Sequence, residues 1–87
     1  MSQIDAAIVK EQNITFAIVV VKQYIINSSN ERKQAVQSFS TIFPNMPIVL
    51  MAQNPKGIPT YWGRTDIVNF LSKVSVSRIP WKRYTVN

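Results

Sequence analysis

The sequence predicts an α/β fold, with α+β as the alternative class, in which a mixed β-sheet carries two packed helices around a βαββα core. Three observations predict it. The run Ile14 to Val21 is apolar on both alternating faces, broken only at Thr15; Ser28 to Phe43 repeats its apolar residues at helical spacing; and Pro47 to Ala52 is again apolar on both faces. A strand without a polar face belongs inside a sheet that is covered on both sides, and helices are what cover it.

The elements follow in chain order. Residues 6–9 suit a short strand, and the N-terminal segment 1–12 is placed at a sheet edge. Ile14 to Lys22 reads as the central strand, with Tyr24, Ile25 and Ile26 continuing it in the same character. Ser28-Ser29-Asn30-Glu31 has the spacing of a capping box, in which the Ser28 hydroxyl accepts from the third helical N–H and Glu31 reaches back. A helix is therefore expected from Ser29. Its apolar stripe is Ala35, Val36, Phe39, Ile42 and Phe43, opposite Arg32, Lys33, Gln34 and Gln37, and Pro44 ends it.

Pro47 to Ala52 is the next strand. Asn54-Pro55-Lys56-Gly57 is a turn with proline at its second position, which makes Ile58 to Trp62 a return strand ended by Gly63. Thr65 is expected to cap a second helix running to about residue 73, with Asp66 at the positive end of its dipole and Ile67, Phe70, Leu71 and Val74 on its buried side. Phe39 and Phe70 are the expected core anchors. Ser75 to Pro80 is rich in turn residues, and the tail 75–87 is a second candidate edge strand. Its alternation puts Trp81, Arg83 and Thr85 on one side and Lys82, Tyr84 and Val86 on the other. The strand–helix–strand unit predicts a right-handed crossover, and residues 1–87 are read as a single domain.

Met46-Pro47, the apolar strand, the tight turn, the return strand, Gly63 and the helix through Leu71 together resemble the C-terminal half of a thioredoxin-like fold. The resemblance covers residues 46–74, about a third of the chain. It implies that fold with Pro47 at the place of the family's cis-proline, and it implies a binding role. The redox cysteine pair of that family has no counterpart here, so its disulfide chemistry does not carry over.

Composition excludes much chemistry. There is no Cys and no His, which removes thiolate nucleophiles, the usual zinc ligands and the commonest general base. Of the four carboxylates, Glu31 and Asp66 are already accounted for at helix starts, and the spacing brings no two together for a dyad or a metal site. No enzyme activity, no cofactor and no metal is expected. Met1 to Lys10 lacks the basic start and apolar run of a secretory signal, and Phe16 to Val21 is far shorter than the ~20 residues of a membrane span, so a cytoplasmic protein with no membrane span is expected.

Charge is uneven within a formal net of +6. Residues 1–45 hold Lys10, Lys22, Arg32 and Lys33 against Asp5, Glu11 and Glu31, a net of +1. Residues 46–87 hold Lys56, Arg64, Lys73, Arg78, Lys82 and Arg83 against Asp66 alone, a net of +5. A basic half attracts polyanions, acidic proteins or acidic lipid headgroups, and charge alone does not choose among them. The candidate anion or nucleic-acid contacts are Lys56, Arg64, Arg78, Trp81, Lys82, Arg83 and Tyr84. Arg64 qualifies because it precedes a helix N-terminus, and residues 78–84 because they interleave cations with aromatics. Two functions follow. The first is a non-catalytic interaction module binding another protein or itself, and the alternative is a nucleic-acid-binding module using the C-terminal half. What separates them is whether the cations converge on one patch.

Overall fold

The computed structural model describes residues 2–11 and 13–86; Met1, Gln12 and Asn87, which fall in the two candidate edge segments, lie outside the described residues. Strand β1 (Ser2–Glu11) turns through Asn13 into β2 (Ile14–Val20), and Asn13 takes a left-handed φ of 67° that asparagine tolerates in tight turns. Two helices follow, α1 (Gln23–Asn27) and α2 (Ser29–Ile42), then the hairpin β3 (Ile48–Gln53) and β4 (Pro59–Trp62). Helix α3 (Thr65–Leu71), a 3-10 turn (Val76–Arg78) and β5 (Lys82–Val86) complete the chain.

The five strands form one mixed sheet in the order β4-β3-β2-β1-β5, with β2 in the middle as its apolar faces require. Only β2 and β3 run parallel, joined by the α1–α2 crossover; β1–β2, β3–β4 and β1–β5 are antiparallel. Ala6, Ala17, Val19, Leu50 and Ala52 face α1 and α2 with Phe43, while Ala7, Phe16, Ile18, Val49 and Met51 face α3 with Ile67, Leu71 and Ile79. Three helices thus pack on a five-stranded sheet.

Several expectations are corrected here. Tyr24-Ile25-Ile26 does not prolong the strand: Lys22 is extended, the chain leaves the sheet and Ile26 is the buried residue of a short helix. The reason is topological, because a parallel return to β3 requires the chain to rise off the sheet after Val20. β1 is an interior strand of ten residues rather than a short edge strand, held between β2 and β5.

Ser28 does cap α2, its Oγ accepting from Glu31 N–H at 3.3 Å. Arg32, expected on the solvent side, turns inward instead: its Nη1 donates to Ile26 O at 2.6 Å and its guanidinium lies 5.0 Å from the Trp62 ring centre. Thr65 does not cap α3; Arg64 holds the cap position, and no side chain there accepts from the helix. Phe39 and Phe70 are only half-buried, and the rings sealed in the core are Phe16 (1% exposed) and Phe43 (3%). The described peptide bonds are all trans, that before Pro47 included.

The β3–β4 hairpin shows its turn chemistry plainly. Asn54 Oδ1 accepts from the N–H groups of both Lys56 and Ile58 at 2.9 Å, and Gly57 supplies the φ of +81° that closes the turn. Gly63 is needed for a different reason. A Cβ there would stand 3.0 Å from Val49 Cγ2 and 3.3 Å from Val49 Cα, so only glycine lets the chain leave β4 so close to β3.

Candidate functional site

Coverage of the α3 face is incomplete. Helix α3 spans seven residues, and with Ile79 it shields the row formed by Val49, Ile18 and Ala7. One row nearer the carboxyl ends of β2 and β3 the cover thins: Met51 stays sealed, while Val20 and Asp5 are only half-buried. Met51 pairs with Val20, Asp5 follows beside it on β1, and Asp5 pairs with Arg83 on β5. Above this row lies a groove of about 780 Å³, walled by Val76, Ser77 and Trp81, with Gln53 at one end and Lys82 at its rim. That volume is in the range of ligand sites, and the carboxyl ends of parallel strands are where open α/β sheets gather ligands.

The walls are fixed from within. Trp81 packs against the Phe16–Leu71 cluster and its Nε1 donates to Val76 O at 2.9 Å, so the indole pins the 3-10 turn to the sheet. On the floor, Arg83 Nε donates to Asp5 Oδ1 at 3.1 Å, and this hydrogen bond with the nearby carboxylate holds the guanidinium charged. The two terminal nitrogens of Arg83 make no hydrogen bond among the described residues. A guanidinium tied at one point keeps the fork that takes a carboxylate or phosphate.

Arg64 is a different case. Its Nε and Nη2 both engage Asp66, at 3.1 and 2.7 Å, and the same contact pulls the Asp66 carboxyl below its usual range. The anion-accepting arginine expected before α3 is thus already occupied. Arg64 and Asp66 also sit at the far end of the sheet, by the start of β3, where only a cleft of about 40 Å³ opens between Glu11 and Phe70.

The remaining candidates disperse. Lys56 projects from the β3–β4 turn, at the β4 edge of the sheet. Lys82 and Arg83 are on β5 at the other edge, four strand spacings or about 19 Å away. Arg78 is exposed in the 3-10 turn and does not line the groove. Tyr84 points to the opposite face, where its ring meets Phe43 edge-on at 5.2 Å. Of the seven candidates, only Trp81 and Arg83 come together on this face, beside the Asp5 carboxylate; Lys82 borders the groove but pairs with Ala6 and alternates to the α1–α2 side.

Asp5, Gln53 and Ser77 were not singled out in the sequence. Alternation along β1 places Asp5 on the side of Ala7, but its partner is 78 residues away, a pairing that no local signal encodes. Among the described residues no three acidic, His or Cys side chains group as a metal site would need, and no helix is long and apolar enough to cross a membrane. No protein family, curated protein or solved structure matches the chain, and its function has to be read from its own residues.

Proposed function

We propose that this protein is a non-catalytic interaction module that binds another protein or itself, and that it acts in the cytoplasm. The observation that carries the reading is the dispersal of the basic residues. Lys56, Arg64, Arg78, Lys82 and Arg83 occupy both edges and both ends of the sheet, and Arg64 is closed on Asp66. A nucleic-acid surface needs a continuous cationic track with aromatics beside it, whereas Tyr84 and Trp81 lie on opposite faces. The surface offers instead a built groove and, at the β4 edge, the exposed side chains of Ile58 and Trp62. The likeness of residues 46–74 to a thioredoxin-like half, which rests on the hairpin–helix order of β3, β4 and α3, is part of the same proposal and agrees with a binding role.

Titrating labelled single-stranded and duplex oligonucleotides at about 0.15 M salt tests the reading. The expected result is no binding below about 100 μM, the weak end of ordinary nonspecific affinity. Tighter binding that falls steeply with salt and disappears when Lys82 and Arg83 are reversed to Glu would move the function to nucleic acid.

A further inference from the structure

The groove floor is graded. Val20 and Val76, above the sealed Met51, make its β2 end apolar, and Asp5 and Arg83 make its β1–β5 end charged. From β3 to β5 the floor spans three strand spacings, about 14 Å, which is the length of about four extended residues. Its one arginine is tied to Asp5 through Nε alone.

From these features we infer that the groove receives an extended acidic segment of another protein, one apolar side chain resting on Val20 and Val76 and a carboxylate closing on the free fork of Arg83. The inference rests on the interaction-module reading and names its partner. Charge complementarity selects that partner. The chain carries +6, so a second copy is repelled, and two of its own four acidic residues are held by arginines. Nucleic acid fits the floor poorly. Trp81 is committed to the wall by its packing and its bond to Val76 O, Tyr84 is on the other face, and the aliphatic Val20 and Val76 give bases nothing aromatic to stack on. Asp5 then acts as an internal competitor, occupying part of Arg83 until a partner carboxylate arrives.

Two substitutions in this pair act in opposite directions on binding. Arg83→Gln removes the anion fork and weakens an acidic peptide at least tenfold. Asp5→Asn removes the competing carboxylate and tightens the same peptide about threefold, while Lys56→Gln, at the far edge, leaves it unchanged. A role limited to stability predicts no tightening from Asp5→Asn.

The test is selection from a random twelve-residue peptide library on the full chain, followed by anisotropy and amide-shift mapping of the enriched peptides on the native protein and the three variants. Melting curves confirm that each variant is folded. The expected result is enrichment of peptides with Asp or Glu near an apolar residue, shifts at Val20, Met51, Gln53, Trp81 and Arg83, and the opposed effects above. Enrichment without acidic residues, shifts centred on Ile58–Trp62, or no enrichment overturns the groove assignment. So does N-acetylglutamate binding as tightly as the peptide, which would mark a small-carboxylate site, or displacement of the peptide by an equimolar single-stranded oligonucleotide. A peptide seated on the β4 edge removes this inference and leaves the interaction module standing. Oligonucleotide binding with no peptide binding removes both.

Discussion

On one side of the sheet a five-residue and a fourteen-residue helix lie over Ala6, Ala17, Val19, Leu50 and Ala52, with Phe43 sealing one end against Tyr84. On the other, a seven-residue helix, a 3-10 turn and one indole have to cover the same five strands, and they leave Val20, Asp5 and Arg83 incompletely covered. At the centre the sheet is as apolar on either side, since β2 and β3 bury residues of both alternations. What differs is the length of the covering chain. A long crossover builds core, and a short one builds a groove. The α1–α2 side therefore reads as scaffold and the α3 side as the side that meets a partner.

The largest test of that contrast is to empty each side of its sealed ring. Phe16→Ala on the α3 side and Phe43→Ala on the α1–α2 side should each cost about 3–5 kcal/mol, from lost burial plus the cavity left behind. Phe39→Ala and Phe70→Ala, whose rings are half-buried, should cost less, about 1–2 kcal/mol. Urea midpoints for the four variants check the ranking. A cost at Phe70 equal to that at Phe16 would mean that α3 is packed as tightly as the larger helices, and the contrast between the faces would fail.

That ranking also shows how much was legible. β2, α2 and the β3–β4 hairpin were readable because their signals are local: two apolar faces, a capping box, and an Asn-Pro-Lys-Gly turn. Helix α1 was not, because Tyr24-Ile25-Ile26 has strand-like composition and only the need to cross from β2 to β3 lifts it off the sheet. Phe39 and Phe70 read as anchors because periodicity gives the side a residue faces and not how deeply it sinks. At the site, alternation in β5 correctly set Trp81 and Arg83 apart from Tyr84, yet the groove depends on Asp5, Val20 and Met51 arriving beside them. Those are contacts between distant strands, invisible to any spacing rule.

The next effect is that of the wall. Trp81→Ala should cost about 2–3 kcal/mol and release the 3-10 turn, whereas Trp81→Phe keeps most of the packing and loses the bond to Val76 O, worth about 1 kcal/mol. A Trp62→Phe background isolates the Trp81 emission, which should be blue-shifted and move red on unfolding. Water-like emission in the folded state would remove the wall and with it the groove.

A smaller effect comes from Tyr61, on the α3 side beside Met51. Its hydroxyl is buried with no partner among the described residues, and burial raises its pKa. Tyr61→Phe should therefore be neutral or stabilising by up to about 1 kcal/mol, since it removes an unsatisfied polar group. A folded pKa above the unfolded value means a contribution present below about pH 10 and lost as pH rises through the folded value. The native protein should then lose more stability than Tyr61→Phe above that pH. Parallel urea midpoints at pH 8 and 10.5 measure it, and equal losses in both proteins would place Tyr61 in solvent.

The smallest effects separate the two arginine–aspartate pairs at opposite ends of the molecule. Both are exposed, so Arg64→Gln and Arg83→Gln at neutral pH should each leave the melting temperature within about 2–3 °C of native. They should differ in titration. The two-point hydrogen bond from Arg64 lowers the Asp66 pKa, so whatever that pair contributes is present above the unfolded value, about 3.9, and fades as pH falls through the lower folded one. The Asp66 carboxyl carbon followed by NMR should titrate below the ordinary aspartate range in the native protein and rise toward it in Arg64→Gln, where the Ile67 N–H still donates to the carboxylate. An unmoved midpoint would show that Arg64 is not closed on Asp66. It would then be an anion fork as free as Arg83, and the contrast between the two arginine–aspartate pairs would fall with it.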